Sequence, residues 1–171
     1  KIWNALRLVK GWKKEERPSS EADKTAFAWI QEKLQDVIGG IENDFRDYRL
    51  SESLTRLYSF IWTDFCSWYL EMVKPEYLKP VDLFTYEKTK ALFENVLKLL
   101  HPFMPFISEE LWHHFEDRNE DDCIITAAWP QASEYDQTLI NEADLAFELI
   151  SALRNLRNSK NLSKNERLSL F

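Results

Sequence analysis

LYSFIWTDFCSWYLEMVKP, residues 57–75, is an apolar and aromatic stretch that contains no glycine and ends in a proline. Its apolar side chains recur every three or four positions, the spacing that places residues on one face of an α-helix. We therefore predict a helix that starts at Ser51 as the N-cap and runs to Lys74. Its predicted apolar face carries Leu54, Leu57, Ile61, Phe65, Trp68 and Met72, with Tyr58, Trp62 and Tyr69 beside it. A face this wide is typical of a helix at the centre of a bundle.

Three further segments have the same helical spacing. They lie at residues 24–48, 85–101 and about 108–116. The glycine pair Gly39–Gly40 interrupts the first of them and indicates either a kink or a close contact with another helix. Together these segments predict an all-α fold, an antiparallel helical bundle.

The chain is expected to contain two parts. We assign residues 1–132 to the bundle, and 133–171 to a C-terminal linker helix followed by the start of another domain. Asn141 is the predicted N-cap of the linker helix, and the alternation at 168–171 is typical of the beginning of a truncated strand. The amphipathic pattern at 1–9 has no capping residue before it. Both ends therefore look cut, and we expect a piece of a longer protein.

The composition excludes several classes of protein. Only 3 of the 171 residues are glycine, so the chain has no glycine-rich loop of the P-loop or Rossmann kind. It contains no run of 18 apolar residues and no signal peptide, so we expect a cytoplasmic protein without membrane contact. Cys66 and Cys123 lie far apart in apolar surroundings, and we expect both to be reduced and buried.

Candidate catalytic groups are few. His113 and His114 follow two glutamates and allow a metal-dependent hydrolase as an alternative. Adjacent helical residues point about 100° apart, however, and no second cluster offers the missing ligands. The serines have no base at motif spacing. We therefore expect no catalytic residue, no cofactor and no metal in this chain, whereas bound metal in the purified protein would favour the hydrolase.

The first predicted helix has a basic face, although the net charge of the chain is −7. Its polar ridge consists of Lys1, Asn4, Arg7, Lys10 and Lys14, with Leu8, Gly11 and Trp12 beside it. Arginine and asparagine can read the edges of bases, and lysine contacts phosphates. The ridge therefore indicates a nucleic-acid surface, and the alternative is an ordinary solvated helix face.

Four motifs in order carry a family resemblance. They are KIWNA at 1–5, the stretch quoted above at 57–75, HPFMPFISEELW at 101–112, and WP at 129–130. Together they resemble the anticodon-binding region of the class I valyl-tRNA synthetases over essentially the whole chain. The isoleucyl-tRNA synthetases share this architecture and are the alternative, but they have a different sequence at the position of the FCSWYLE run.

The resemblance implies a parent enzyme that joins valine to its tRNA using ATP and Mg²⁺. The HIGH and KMSKS motifs of its catalytic domain are absent here, and its editing domain would also lie elsewhere. This chain would therefore be non-catalytic and would recognise the anticodon stem-loop of the tRNA. We expect a monomer whose partners are that tRNA and the catalytic and editing domains of the same parent chain. The alternative from another class is a helical protein-interaction module without nucleic-acid binding.

The resemblance also implies site residues. The predicted tRNA-contacting residues are Asn4, Arg7, Leu8, Lys10, Leu70 and Lys74. The family often has an aromatic residue in place of Leu8, so we expect an aliphatic contact there instead of base stacking. Another departure is Ser67, where the family commonly has aspartate. The other motif aromatics are assigned to the core, namely Trp62, Phe65, Trp68, Phe103 and Trp112.

Overall fold

The chain divides between Tyr135 and Asp136 into two compact units in a computed structural model that describes residues 1–119 and 121–162. The first unit contains the helices α1 Ile2–Lys10, α2 Glu21–Arg46, α3 Leu50–Ser59, α4 Leu70–Val73, α5 Leu83–Leu100 and α6 Pro105–Phe115. It also contains a π-helical segment Phe60–Tyr69, a 3₁₀ helix Ile124–Thr126, and the strands β1 Lys14–Glu15 and β2 Val81–Asp82. The predicted all-α class is confirmed, because each strand contributes only two residues.

Side-chain caps start two long helices of the first unit. Ser20 Oγ accepts a hydrogen bond from Asp23 N at 3.0 Å and starts α2. Asp82 Oδ1 accepts from Thr85 N at 2.9 Å and starts α5, and Ser19 Oγ donates to the same oxygen at 2.5 Å. Burial of Asp82 opposes ionisation, but these hydrogen bonds outweigh it and lower the pKa of the carboxyl group.

Gly40 lies where the Arg56 side chain of α3 crosses α2. A Cβ added at Gly40 would overlap the Arg56 guanidinium. That guanidinium donates from Nε to Oδ2 of the buried Asp44 at 3.3 Å, and Arg49 binds the other carboxylate oxygen at 3.3 Å. The close helix contact expected for the glycine pair is therefore found at Gly40.

α3, the π-helical segment and α4 form one uninterrupted helix, as the quoted stretch predicts. The predicted start is wrong, because Ser51 lies inside the helix and Arg49 precedes it without a side-chain cap. The buried face of this helix consists of Ser53, Leu57, Phe60, Ile61, Phe65, Tyr69, Leu70 and Val73.

This buried face differs from the predicted one because of the π-helical segment. In a π-helix each N–H bonds five residues back, as Leu70 N does to Phe65 O, so each turn contains more residues than in an α-helix. Ile61 and Phe65 are still buried as predicted, but residues after Phe65 are displaced from the expected register. Trp68 is only half-buried and Met72 is exposed. Ahead of the segment, Ser53 is buried and Leu54 is exposed, which the predicted face did not anticipate.

An aromatic cluster occupies the interior of the first unit. The Phe65 ring lies 5.6 Å from Phe93 and 6.0 Å from Tyr69, and Phe93 lies 5.1 Å from Phe115, all between ring centroids. The Tyr69 hydroxyl forms a 2.7 Å hydrogen bond with Thr89 Oγ1. Burial raises the pKa of Tyr69 to about 12.

The aromatic residues assigned to the core have three different environments. Phe65 and Trp112 are buried, which confirms their assignment. Trp68 and Phe103 are half-buried. Trp62 is 45% exposed, so its assignment to the core is wrong. The aromatic residues that the sequence analysis assigned to the core are thus distributed between the interior and the surface.

Both cysteines are free and half-buried, so the expectation of buried thiols holds only in part. Burial raises the pKa of the Cys66 thiol. Residues 124–126, which follow Cys123 in a run of β-prone composition, form the 3₁₀ helix and no strand.

The second unit, from Asp136 onward, contains helix α7 Gln137–Ser159. Asp136 Oδ1 accepts from Thr138 N at 2.8 Å and is the N-cap, so the prediction of Asn141 as the cap is wrong. The truncated strand expected at 168–171 lies outside the described residues. None of the helices within 1–119 and 121–162 combines the length and apolarity needed to span a bilayer.

Candidate nucleic-acid interface

Helix α1 has a buried face and an exposed face. Ala5, Leu6 and Val9 are buried against the bundle, and α1 contacts α5, α6 and the π-helical segment. The predicted tRNA-contacting residues of α1 are all exposed, namely Asn4, Arg7, Leu8 and Lys10. The α1 part of the prediction therefore lies on the surface, as contact with RNA requires.

Lys1 and Lys10 make contacts away from the exposed face of α1. Lys1 Nζ donates to Trp62 O at 3.1 Å and to Ser67 Oγ at 3.2 Å, and it lies 3.8 Å from the centroid of the Trp62 ring. Lys10 Nζ donates to the carbonyl oxygen of His114 at 2.5 Å. Lys10 thus lies on the surface with its ammonium group engaged by α6.

The predicted basic ridge is therefore not continuous. Lys14 lies beyond α1, in β1, with its Nζ 4.4 Å from the Tyr86 ring centroid. Asn4 and Arg7 remain as the exposed part of the ridge, with the exposed Leu8 beside them. The Arg7 side chain makes no hydrogen bond or ion pair with any residue in the described part of the chain. Its guanidinium is accordingly available to a ligand.

A two-residue parallel sheet connects the end of α1 to a distant segment. Lys14 pairs with Val81 and Glu15 with Asp82, and Val81 N donates to Lys13 O at 2.8 Å. This pairing holds residues 74–80 beside the C-terminal end of α1. The juxtaposition is non-local, and no pattern in either segment predicts it.

The two segments enclose a cleft, which we call the α1–loop cleft. It is lined by Leu8, Gly11, Trp12, Lys13, Lys74, Pro75, Glu76, Tyr77, Leu78 and Lys79. Leu8 and Lys74, two of the predicted site residues, thus lie in one cleft. Leu70 is only 2% exposed, so it belongs to the core and the prediction that it contacts RNA directly is wrong.

The structure adds residues to the site that the motif comparison missed. Tyr77 is 90% exposed and Leu78 is 73% exposed, and Lys13 and Lys79 line the same cleft. The available sequence signal was the pair of prolines that bracket this tract, Pro75 and Pro80, since such segments stay outside regular helices. That signal shows that the tract is a loop and does not reveal its neighbours.

The charge of the α1–loop cleft is mixed. Lys74 pairs with Glu71, and Lys79 lies 2.6 Å from Glu76 and lowers the pKa of that carboxyl group. Lys13 has no acidic partner among the residues that the structure describes. Exposed ion pairs of this kind contribute little to stability, so both paired lysines can turn to a phosphate.

The two adjacent histidines face different partners. His114 lies against Trp3, with ring centroids 5.2 Å apart. His113 Nε2 lies 3.1 Å from Glu109 Oε1, and one ligand atom from each of Glu109, His113 and Cys123 lies within 4.8 Å of the others. These three could offer donors to a metal, but both oxygens of Glu109 already accept from Ile124 N at 3.2 Å. A metal site on the His113–His114 pair, as the hydrolase alternative requires, does not match this geometry.

The structure thus defines a helical-bundle domain with exposed Arg7 and Lys13 side chains at one edge. Comparison with known proteins identifies the family. Residues 28–171 match the model of the family described as "Anticodon-binding domain of tRNA ligase". The chain belongs to this family. The match begins after α1, so the exposed residues of α1 lie outside it.

Curated relatives cover α1 as well. The chain is 46% identical over 168 residues to the valine–tRNA ligase of Christiangramia forsetii, covering 97% of this chain and 19% of that protein. It is 46% identical over 171 residues to the valine–tRNA ligase of Porphyromonas gingivalis, covering 99% of this chain and 20% of that protein. It is 42% identical over 170 residues to the valine–tRNA ligase of Phocaeicola vulgatus, covering 99% of this chain and 19% of that protein. The chain therefore spans about a fifth of the length of the curated relatives that it matches.

Proposed function

We propose that this chain recognises the anticodon stem-loop of valine tRNA as the non-catalytic part of a valine–tRNA ligase. The observation that carries the proposal is the convergence of two exposed surfaces, the α1 face with Asn4, Arg7 and Leu8 and the lysine-bearing segment 74–79. Family membership supports the anticodon loop as the ligand, and the names of the relatives support valine tRNA.

Each residue has a role that follows from its chemistry. Arg7 and Asn4 donate hydrogen bonds to base edges, which single-stranded loops expose on unstacked bases. Leu8 packs against a base. Lys74 binds a phosphate, and Lys10 binds another after its ammonium group turns away from the His114 carbonyl. Phosphate contacts fix the register of the loop without reading its sequence. The net charge of −7 does not prevent binding, because the repulsion from distant acids is screened beyond about 8–10 Å at physiological salt.

The proposal extends to the parent enzyme. Catalysis with ATP and Mg²⁺ and the hydrolysis of mischarged tRNA belong to catalytic and editing domains outside this chain, which are its partners together with the tRNA. We place the parent in the cytoplasm and expect it to be a monomer. The chain alone is expected to show no valine-dependent exchange between ATP and pyrophosphate.

The test is a binding titration with three RNAs. The 171-residue chain is titrated with valine tRNA, with valine tRNA altered only in the anticodon, and with isoleucine tRNA. We expect tightest binding to valine tRNA and an affinity that falls linearly with salt on logarithmic axes, because phosphate contacts release counterions. Equal affinity for the first two RNAs would contradict anticodon recognition.

Two other outcomes favour the alternatives. Preference for isoleucine tRNA would assign the chain to the isoleucyl enzymes. Absence of RNA binding even at low salt would favour the protein-interaction module. An apolar interface would also lack the steep salt dependence.

A further inference from the structure

We propose that Tyr77 is the platform on which one unpaired base of the bound tRNA loop stacks, inside the α1–loop cleft. This proposal rests on the function proposed above and adds a residue to the site. It also assigns base stacking to the segment between Pro75 and Pro80, whereas the family resemblance pointed to the position of Leu8.

Size and lining suit a single base. The cleft has a volume of about 240 Å³, below the ~300–1,000 Å³ typical of sites for drug-sized ligands. Its apolar lining includes Leu8, which is 40% exposed, together with Tyr77 and Leu78. Single exposed apolar residues are common, but three that line one cleft make a continuous surface that a flat aromatic ligand can cover.

Backbone contacts anchor the turn that carries Tyr77. Lys79 N donates to Glu76 O at 2.9 Å and closes a turn around Tyr77, and Leu78 takes a left-handed conformation with φ 64°. Arg17 Nη2 donates to Pro80 O at 3.3 Å. The turn is thereby anchored next to the β1–β2 pairing. A platform held in this way loses little conformational entropy when a base stacks on it.

The lysines of the cleft favour a ligand that carries negative charge. Lys13, Lys74 and Lys79 surround the apolar lining, so the cleft presents an aromatic face flanked by ammonium groups. Single-stranded nucleic acids are bound by this combination, in which lysines track the phosphates while an aromatic ring stacks on a base. An apolar peptide would offer no anionic group to Lys13, which has no acidic partner among the described residues.

The experiment combines protein variants with abasic RNAs. Tyr77→Ala, Tyr77→Phe and Tyr48→Ala are each titrated with valine tRNA, and Tyr48 is the control because it is 92% exposed and does not line the cleft. The titrations of Tyr77→Ala and of the unchanged chain are repeated with tRNAs that carry an abasic site at each loop position in turn.

We expect Tyr77→Ala to bind valine tRNA about tenfold more weakly, which is about 1.4 kcal/mol. Tyr77→Phe keeps the ring and should bind within about twofold of the unchanged chain, as should Tyr48→Ala. One abasic tRNA should show no further loss with Tyr77→Ala, since the base and the ring act as a pair.

Three results would overturn the stacking role. They are unchanged affinity of Tyr77→Ala, an equal loss with Tyr77→Phe, and a loss with Tyr77→Ala that persists for every abasic tRNA. The proposed function fails separately, if the unchanged chain does not distinguish valine tRNA from its anticodon-altered form.

Discussion

Two neighbouring regions of the molecule place aromatic side chains in opposite environments. Around Phe65, the rings of Phe60, Tyr69 and Phe93 are almost completely buried. In the α1–loop cleft, Tyr77 lies in solvent with lysines around it. The stretch from 60 to 77 supplies residues to both regions. Aromatic content alone therefore does not distinguish the two regions. In the sequence they are separated by the end of the helix before Pro75.

This comparison predicts two independent sets of mutational effects. Substitutions in the aromatic interior should change the free energy of unfolding, and substitutions at the cleft should change RNA affinity. A substitution that changed both equally would show that the two regions are coupled.

The largest effect is expected at Phe65. Phe65→Ala removes a fully buried ring that contacts Phe93 and Tyr69, and it should lower the free energy of unfolding by about 3–5 kcal/mol. Urea unfolding followed by circular dichroism measures the change. If the variant is too unstable to purify, Phe65→Leu should show a smaller loss in the same direction. An unchanged midpoint for either variant would place Phe65 outside the core.

The next largest effect on stability is expected at Gly40, and the adjacent Gly39 is the control. Gly40→Ala displaces Arg56 from the buried Asp44, and a buried acceptor that loses a partner costs about 1–3 kcal/mol. At Gly39 the added Cβ meets Ala132 at 3.8 Å, an ordinary contact. Gly39→Ala should therefore stabilise the helix by up to about 1 kcal/mol through its better helix propensity. Thermal unfolding that shifts equally for both variants would contradict the close contact at Gly40.

Asp82 connects the two regions, because it caps α5 and pairs in the sheet that holds the cleft. Asp82→Ala should cost about 1 kcal/mol at pH 7 through loss of the cap. The pKa of Asp82 is lowered in the folded chain, so its charged form contributes stability above the ordinary value of 3.8. That contribution is lost as the pH falls through the folded-state pKa.

The difference in unfolding free energy between the original chain and Asp82→Ala should therefore be constant from pH 7 to pH 5. It should shrink at lower pH. Urea titrations at a series of pH values measure it, and a difference that grew on acidification would contradict the lowered pKa.

The smallest effects on stability are expected at the exposed cleft and α1 face. Arg7→Ala and Tyr77→Ala should each change the unfolding free energy by no more than about 0.5 kcal/mol, because both side chains are exposed. Arg46→Ala, on the exposed last turn of α2, is a matched control for Arg7. Strong destabilisation by Arg7→Ala or Tyr77→Ala would mean that the substituted residue supports the fold.

Regular helical spacing made most of the bundle predictable. The helices at 24–48 and 85–101 are found at Glu21–Arg46 and Leu83–Leu100, because local periodicity and end signals determine them. The buried face around Trp68 was misassigned, since 3.6-residue periodicity does not apply inside a π-helical segment. Nothing in the local sequence marks that segment.

The candidate site was predictable only in part. Motif matching proposed Asn4, Arg7 and Leu8, which lie on the surface, but it also proposed Leu70, which is buried. It missed Tyr77 because the pairing of β1 with β2 brings that tyrosine to α1 from a distant part of the chain. Contacts between distant segments leave no periodic signal in either one.

If the exposed face of α1 reads the anticodon, Arg7 should contribute to the discrimination between anticodons. The affinities of the original chain, Arg7→Ala and Arg46→Ala are measured for valine tRNA and for its anticodon-altered form at one salt concentration. The account predicts that Arg7→Ala loses about 1–3 kcal/mol with valine tRNA and much less with the altered tRNA, so that discrimination narrows. Arg46→Ala should keep the original ratio. An equal loss of affinity for both RNAs, or no loss for either, would contradict anticodon reading by Arg7.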